Sequence, residues 1–291
     1  MSEPAVSVLS DVACHLGEGP SYDPTTDTLH WFDILERKML SWRQGGATEI
    51  TVLPEMASAV AIDGEGRQVL ATETGLHLRN KASGRLTRIA AIEADDPATR
   101  SNDARVHSSG AFWIGTMGKK AERKAGSIWW YRRGELRRLF PEITISNSIC
   151  FSPDGGTAFF ADTAKNILFR VDCDPATGLP TGEPKVFLDH RGRPGGIDGS
   201  VIDAEGILWN ARWGTGTLDA YDMNAKPVRS IAIPARQTSC PAFFGRDASR
   251  IAVTSAFEGM DAAARAADPK AGWTFAVDMP LRGSFEPRLA I

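Results

Sequence analysis

Short apolar or alternating runs, separated by clusters of Gly, Pro, Asp and Asn, fill most of the chain, and helical periodicity is almost absent. Alternation with a period of two, interrupted by turn-forming residues, predicts an all-β chain. One unit recurs, a turn followed by a short strand. It reads Asp27-Thr28-Leu29-His30-Trp31-Phe32-Asp33, then Gly66-Arg67-Gln68-Val69-Leu70-Ala71-Thr72, then Gly110-Ala111-Phe112-Trp113-Ile114-Gly115-Thr116. It returns as Gly156-Thr157-Ala158-Phe159-Phe160-Ala161-Asp162, as Gly206-Ile207-Leu208-Trp209-Asn210-Ala211-Arg212 and as Ser249-Arg250-Ile251-Ala252-Val253-Thr254-Ser255. The copies lie roughly 39 to 50 residues apart, the period of a four-stranded propeller blade.

Each copy follows an apolar strand, such as Val60-Ala61-Ile62-Asp63 or Val201-Ile202-Asp203, and precedes a third, such as Ile167-Leu168-Phe169-Arg170-Val171. Asp154-Gly155 and Ser83-Gly84 supply turns, because these residues tolerate positive φ. A blade cannot bury both faces alone, whereas six stacked radially can, with few open edges. The expected fold is therefore a single six-bladed β-propeller domain over residues 1–291, with a two-sheet sandwich as the alternative. Val6-Ser7-Val8-Leu9 and Trp273-Thr274-Phe275-Ala276-Val277 read as strands sharing the closing blade. Trp31, Trp113 and Trp209 are expected at inner-strand positions, packing between blades. The one predicted helix, Met260 to Ala267, is Ala-rich and stops before Pro269.

Composition narrows the functional classes. Of 291 residues, 42% are hydrophobic, enough for a substantial core. The 33 basic and 36 acidic residues leave a formal charge of -3, which offers no reason to expect nucleic acid or an anionic membrane as partner. No apolar run approaches the roughly 20 residues that span a bilayer. Met1 to Ser10 has neither a basic start nor a long apolar stretch, so a cytoplasmic chain without a cleaved signal is expected. Cys14, Cys150, Cys173 and Cys240 are scattered and form no Cys-x-x-Cys pair, which reads as buried thiols.

Candidate chemistry is sought where inner strands and connecting loops meet the channel, in Gly-rich, non-strand settings. Leu16-Gly17-Glu18-Gly19-Pro20 flanks a carboxylate with glycines that let a ligand approach the backbone. Ile145-Ser146-Asn147-Ser148-Ile149-Cys150 places an amide between apolar residues, where it must be satisfied. Gly195-Gly196-Ile197-Asp198-Gly199-Ser200 isolates an Asp among glycines. Taken singly, these read equally as a solvated turn, a structural amide and a simple turn. Together, two carboxylates and an amide oxygen from three blades would make an oxygen-rich cation site. Arg100-Ser101-Asn102-Asp103 adds a cation, an amide and a carboxylate suited to sugar hydroxyls or an anionic oxygen, or else forms a polar loop. Asp203 reads as a blade-turn residue, matching Asp63. His15, His30, His77, His107 and His190 have no evident catalytic partner, and no Gly-x-Ser-x-Gly, His-Glu-x-x-His or P-loop occurs.

These segments, with Gly115-Thr116-Met117, Asp203-Ala204-Glu205-Gly206 and Thr238-Ser239-Cys240 in the same order, resemble the gluconolactonase family, which includes regucalcin and bacterial sugar lactonases. The resemblance runs from about Cys14 to about Phe275. It implies one divalent ion (Ca²⁺, Zn²⁺, Mn²⁺ or Mg²⁺) in the central channel, bound by Glu18, Asn147 and Asp198. It implies that Arg100 and Asn102 contact substrate and that Asp103 supports the site. The implied substrate is a small sugar lactone, an aldonolactone such as glucono-, xylono-, arabinono- or galactonolactone. A monomer or weak homo-oligomer is expected. In the implied reaction the ion polarises the lactone carbonyl and Asp198 serves as ligand and general base; Asp103 or a hydroxide on the ion are alternative bases.

Two features depart from the family. Ile197 stands where the family often has Pro. After Met117 comes Gly118-Lys119-Lys120-Ala121-Glu122-Arg123-Lys124, where animal regucalcins are acidic. The cations are either a solvated run or a cover for the channel mouth, with Lys120 touching substrate. The latter would favour an aldarolactone bearing a carboxylate. The remaining alternative is a non-catalytic Ca²⁺-binding regulatory propeller, which would need neither Arg100 nor Asn102.

Overall fold

The computed structural model describes residues 4–291; the start of the Met1 to Ser10 reading, and residues 1–3 of the expected domain, lie outside the described residues. Six four-stranded antiparallel sheets stand around a central axis. Five are built from consecutive strands, and their innermost strands are Gly17–Asp23, Ala57–Ile62, Thr99–Val106, Ser146–Phe151 and Gly196–Ile202. The sixth runs from Thr238–Phe244 through Arg250–Ser255 and Thr274–Asp278, and Ala5–Ser10 completes it. That N-terminal strand pairs Val6 with Val277 and Val8 with Phe275, so the two ends of the chain close the ring as expected.

The six repeated segments are the second strands of their blades, not the innermost ones. The sequence-based placement of Trp31, Trp113 and Trp209 on inner strands is thereby corrected. Their role between blades holds: Trp113 packs edge-on against Phe151 of the next blade, and Trp209 shares a cluster with Ile251 and Phe275. Trp31 meets Phe244 and Ala252 across the closing seam. Burying large flat side chains between sheets is what cements a propeller, since each blade offers two apolar faces.

The turns follow the sequence. Asp63 Oδ1 accepts from the Glu65 and Arg67 amides, and Asp203 Oδ1 from those of Glu205 and Ile207, the same turn in two blades. The helix is shorter than expected, Ala262–Ala267. It is capped by Asp261, whose carboxylate accepts from the Ala264 amide at 2.8 Å. No helix among the described residues is long and apolar enough to cross a membrane. All four cysteines are free and buried.

One irregularity recurs in all six blades. Each innermost strand loses register with its neighbour in mid-course, between Glu18 and Ser21, Ala57 and Ala59, Ser101 and Ala104, Asn147 and Cys150, Ile197 and Ser200, and Thr238 and Pro241. A bulge of this kind leaves residues unpaired and re-aims their side chains. All innermost strands run the same way, so the six breaks form a collar around the axis. The collar demands close approach of backbones. Gly19 has φ +54°, and a Cβ there would lie 1.8 Å from the Ser58 carbonyl oxygen of the next blade. Gly19→Ala is expected to destabilise the protein by about 2–4 kcal/mol, through strain and overlap. Gly64→Ala, with open space around it, should change stability by less than about 0.5 kcal/mol. Urea unfolding midpoints of the two variants provide the comparison.

Candidate functional site

A cavity of about 380 Å³ opens at the end of the channel where the innermost strands begin. Glu18, Arg100, Asn102, Asn147 and Asp198 all line it. They come from four blades and lie on innermost strands at or beside the collar, not in the loops expected for them. Buried acidic side chains brace the segments entering the strands. Asp33 accepts from the His15 and Leu16 amides, at 2.8 and 3.2 Å, and so holds the approach to Glu18. Asp162 does the same for Thr144 and Ile145, ahead of Asn147.

Hydrogen bonds tie three blades together across the cavity wall. Arg100 Nη1 donates to Asn102 Oδ1 at 2.7 Å, and Asn102 Nδ2 donates to Asn147 Oδ1 at 2.9 Å. Asn147 Nδ2 donates to Thr163 Oγ1, which gives its own proton to the Ile197 carbonyl at 2.6 Å. A hydroxyl whose proton is committed must accept from Asn147, which identifies Nδ2 as the atom facing Thr163 and Oδ1 as the acceptor facing Asn102. Asn102 spends both polar atoms in this relay, so its place is between Arg100 and Asn147. Ile197, where the family often has Pro, uses its amide proton on Asn166 Oδ1 at 2.9 Å. Proline would forfeit that bond.

The electrostatics are unusual. Glu18 and Asp198 are buried carboxylates without an ion pair among the described residues. Burial, then the nearby Asp103 carboxylate, pushes Glu18 up to about 8, against one modest bond from the Gly19 amide. Burial, with Glu18 next, holds Asp198 well above the usual carboxylate range. Asp198 Oδ1 is buried without any partner. Such an oxygen costs free energy unless something outside the protein binds it. Two carboxylates and an amide oxygen are a donor set that fits a hard divalent cation. Three or more His, Cys, Asp or Glu side chains do not cluster in this way among the described residues; the amide is the third ligand candidate.

Asp103 lies one step deeper and does not line the cavity. Its Oδ2 accepts from the Ile149 amide at 2.7 Å, bracing the strand that carries Asn147. Of the cationic run, Lys119 and Lys120 line the cavity, whereas Arg123 and Lys124 do not. Lys119 is ion-paired with Glu73, and Lys124 with Glu142 at 2.8 Å. The run therefore does not cover the mouth as a block of four. His15 is also outside the cavity, stacked on Phe257 and bonded to Glu36.

Sequence reasoning missed Glu258, Met117, Thr163 and Trp213, all of which line the cavity. A signal for three of them existed. Met117, Thr163 and Trp213 each stand immediately after the third, fourth and fifth copies of the repeat, so one repeat position faces the cavity in three blades. Glu258 comes from the irregular loop after the sixth copy, and no repeat marks it.

The family profile described as SMP-30/Gluconolactonase/LRE-like region matches residues 16–257. The chain belongs to this family. It is 48% identical over 280 residues to a Rhizobium meliloti (strain 1021) protein provisionally named a sugar lactone lactonase, covering 96% of this chain and 95% of that one. It is 34% identical to an Azospirillum brasilense L-arabinolactonase, covering 98% and 95%. Among solved structures, the chain is similar to a calcium-binding protein, regucalcin, from Agrobacterium tumefaciens str. C58. The TM-score is 0.97 at 49% identity, over 99% of this chain and 98% of that one.

The raised Glu18 fixes the sign of a pH effect. A carboxyl that titrates near 4.5 in the unfolded chain and near 8 in the folded one favours folding below 4.5, and that contribution is lost as pH rises through 8. Chelator-treated protein should therefore melt at a lower temperature at pH 8 than at pH 5, with Glu18→Gln flattening part of the decline. An identical decline in wild type and variant would contradict the assignment.

Proposed function

We propose that this family member hydrolyses a sugar lactone to the free sugar acid, using one divalent ion held by Glu18, Asn147 and Asp198. The observation that carries the reading is the unpartnered, buried Asp198 Oδ1 beside a second unpaired carboxylate, in a cavity large enough for one sugar ring. The lactonase names of the relatives point to the same chemistry. When bound, the ion supplies Lewis-acid polarisation of a carbonyl and makes water more acidic.

The chain's own residues do the rest. Arg100 is buried with its Nη1 committed to Ser101 and Asn102, and its Nη2 is the donor left for a ring or exocyclic oxygen. Asn102 orients Arg100 and the Asn147 carbonyl. The Asp198 carboxylate accepts a proton from the water that attacks the carbonyl carbon, and returns it to the ring oxygen as the ring C–O bond breaks, so that oxygen leaves as a hydroxyl. Asp103 does not line the cavity and is engaged by the Ile149 amide, which supports Asp198 over Asp103 as the base. The expected substrates are neutral aldonolactones such as glucono-, xylono-, arabinono- or galactonolactone. A second reading, an aldarolactone, is favoured by Lys120, an exposed cation on the cavity wall without an ion pair among the described residues. A regulatory Ca²⁺-binding propeller would need neither Arg100 nor Asn102, so their place on the cavity wall supports the enzyme reading. We further place the protein in the cytoplasm, as a monomer or weak homo-oligomer; four free thiols suit a reducing compartment.

Proton release from a panel of aldono- and aldarolactones, with chelator-treated enzyme and added divalent ions, tests the proposal. Turnover should require an ion, and Asp198→Ala should lower kcat/KM by about a hundredfold or more. A folded protein inert toward every lactone with every ion would reject it. Lys120→Ala should raise KM for an aldarolactone about fivefold at low salt and leave neutral lactones unchanged. Equal effects on both classes would remove Lys120 from recognition.

A further inference from the structure

At the opposite end of the channel, where the innermost strands finish, lies a second cavity of about 130 Å³. Its lining includes Tyr22, Arg105, Cys150, Phe243 and Glu286. The last ten residues cross this end as an extended strap. The Arg282 carbonyl accepts from the Ala204 amide, and the Gly283 amide donates to Ala248. Farther along, the Leu289 amide donates to Ile62 and the Ala290 amide to Gly110, while Arg288 bonds Asp23. The strap thus touches five of the six blades.

Glu286 is the strap's inward side chain. Its Oε1 accepts from the Val106 amide at 2.8 Å, and its Oε2 from Ser21 Oγ at 3.2 Å. Arg105 Nη1 stands 3.6 Å from the same oxygen, and the two charged side chains are only 11% and 12% exposed. Backbone amide, hydroxyl and guanidinium, from two different blades, converge on one carboxylate. Arg105 itself is wedged between the Pro20 carbonyl, Cys240 Sγ and the Pro241 carbonyl. All three donors belong to the ring, and the strap supplies only the carboxylate.

We infer that the lower end of the channel is a carboxylate-binding site which the protein fills in cis with Glu286, so that the strap plugs the channel and leaves the catalytic cavity a single mouth. The site is specific for a small monocarboxylate when Glu286 is removed, since the neighbouring cavity gives such an anion room. The inference does not depend on the lactonase reading. Charge-assisted bonds in a nearly dry setting are the strong ones, which is why one side chain can anchor an otherwise irregular segment.

Cys150, buried and on the wall of this lower cavity, is a natural reporter, and Cys173, buried between two blades away from the channel, is its control. In full-length Glu286→Ala, alkylation of Cys150 by iodoacetamide should accelerate about tenfold or more over wild type, as expected for loss of a charged hydrogen bond. Cys173 should remain protected. About 0.1 M sodium formate should restore most of the Cys150 protection by occupying the site, and sodium chloride at the same concentration should not. Glu286→Gln, which keeps the shape and loses the charge, should label at a rate between wild type and Glu286→Ala, and it decides the matter alone if the alanine variant does not fold. Unchanged Cys150 labelling, equal acceleration at Cys173, equal protection by chloride, or wild-type protection in Glu286→Gln would each overturn the inference.

Discussion

Holding like charges together out of water is the constraint on which this structure turns. Glu18, Asp103 and Asp198 stand within one channel, each with its acidity reduced first by burial and then, for Glu18 and Asp198, by a neighbouring carboxylate. Such an arrangement is unfavourable in isolation. The protein offsets it in part with oriented amides, at Gly19 for Glu18 and at Ile149 for Asp103. The Arg105 charge lowers Asp103, and Arg100 lies close enough to be stabilised by Glu18 and Asp198. What remains uncompensated, above all at Asp198 Oδ1, is the feature that the proposed cation would satisfy.

The collar of register breaks is how the ring creates this environment. A regular ladder would pair every residue of an innermost strand with its neighbour and alternate its side chains between the blade's two faces. Interrupting all six ladders at one level turns selected side chains onto the axis while the strands on either side stay paired. The same device explains the crowding that forces glycine at position 19. It also separates two environments. Above the breaks lies the open cavity with its acidic ligand candidates; below them Arg105 meets the strap at Glu286.

Much of the fold was legible because repetition amplifies weak signals. Six copies of one turn-and-strand unit located six second strands, and the apolar runs at the two termini met in the closing blade. The depth of those copies within a blade was not legible. Trp31, Trp113 and Trp209 look the same whether they belong to a first or a second strand, since both are buried. Glu18, Arg100, Asn102, Asn147 and Asp198 do gather at one cavity, but glycine neighbours suggested loops where bulged strands occur. The bulge is a backbone event, marked by a crowded glycine in only two of the six breaks, at Gly19 and Gly199. Partnership was illegible too: nothing local ties Lys119 to Glu73, or Asn102 to Asn147. The strap was missed because Ser284-Phe285-Glu286-Pro287 has neither period nor repeat, and its bonds reach across the whole ring.

The central claim is that the channel carboxylates are kept for a cation, and counting ions and protons tests it most directly. Chelator-treated protein would be titrated calorimetrically with Ca²⁺, Zn²⁺, Mn²⁺ and Mg²⁺ at pH 7, in buffers of different ionisation enthalpy. The account predicts one ion per chain for at least one of these metals, with protons released on binding because the raised carboxyls must ionise, and loss of that site in Asp198→Ala. Absence of a saturable site for every ion, or binding that survives Asp198→Ala unchanged and releases no proton, would contradict it.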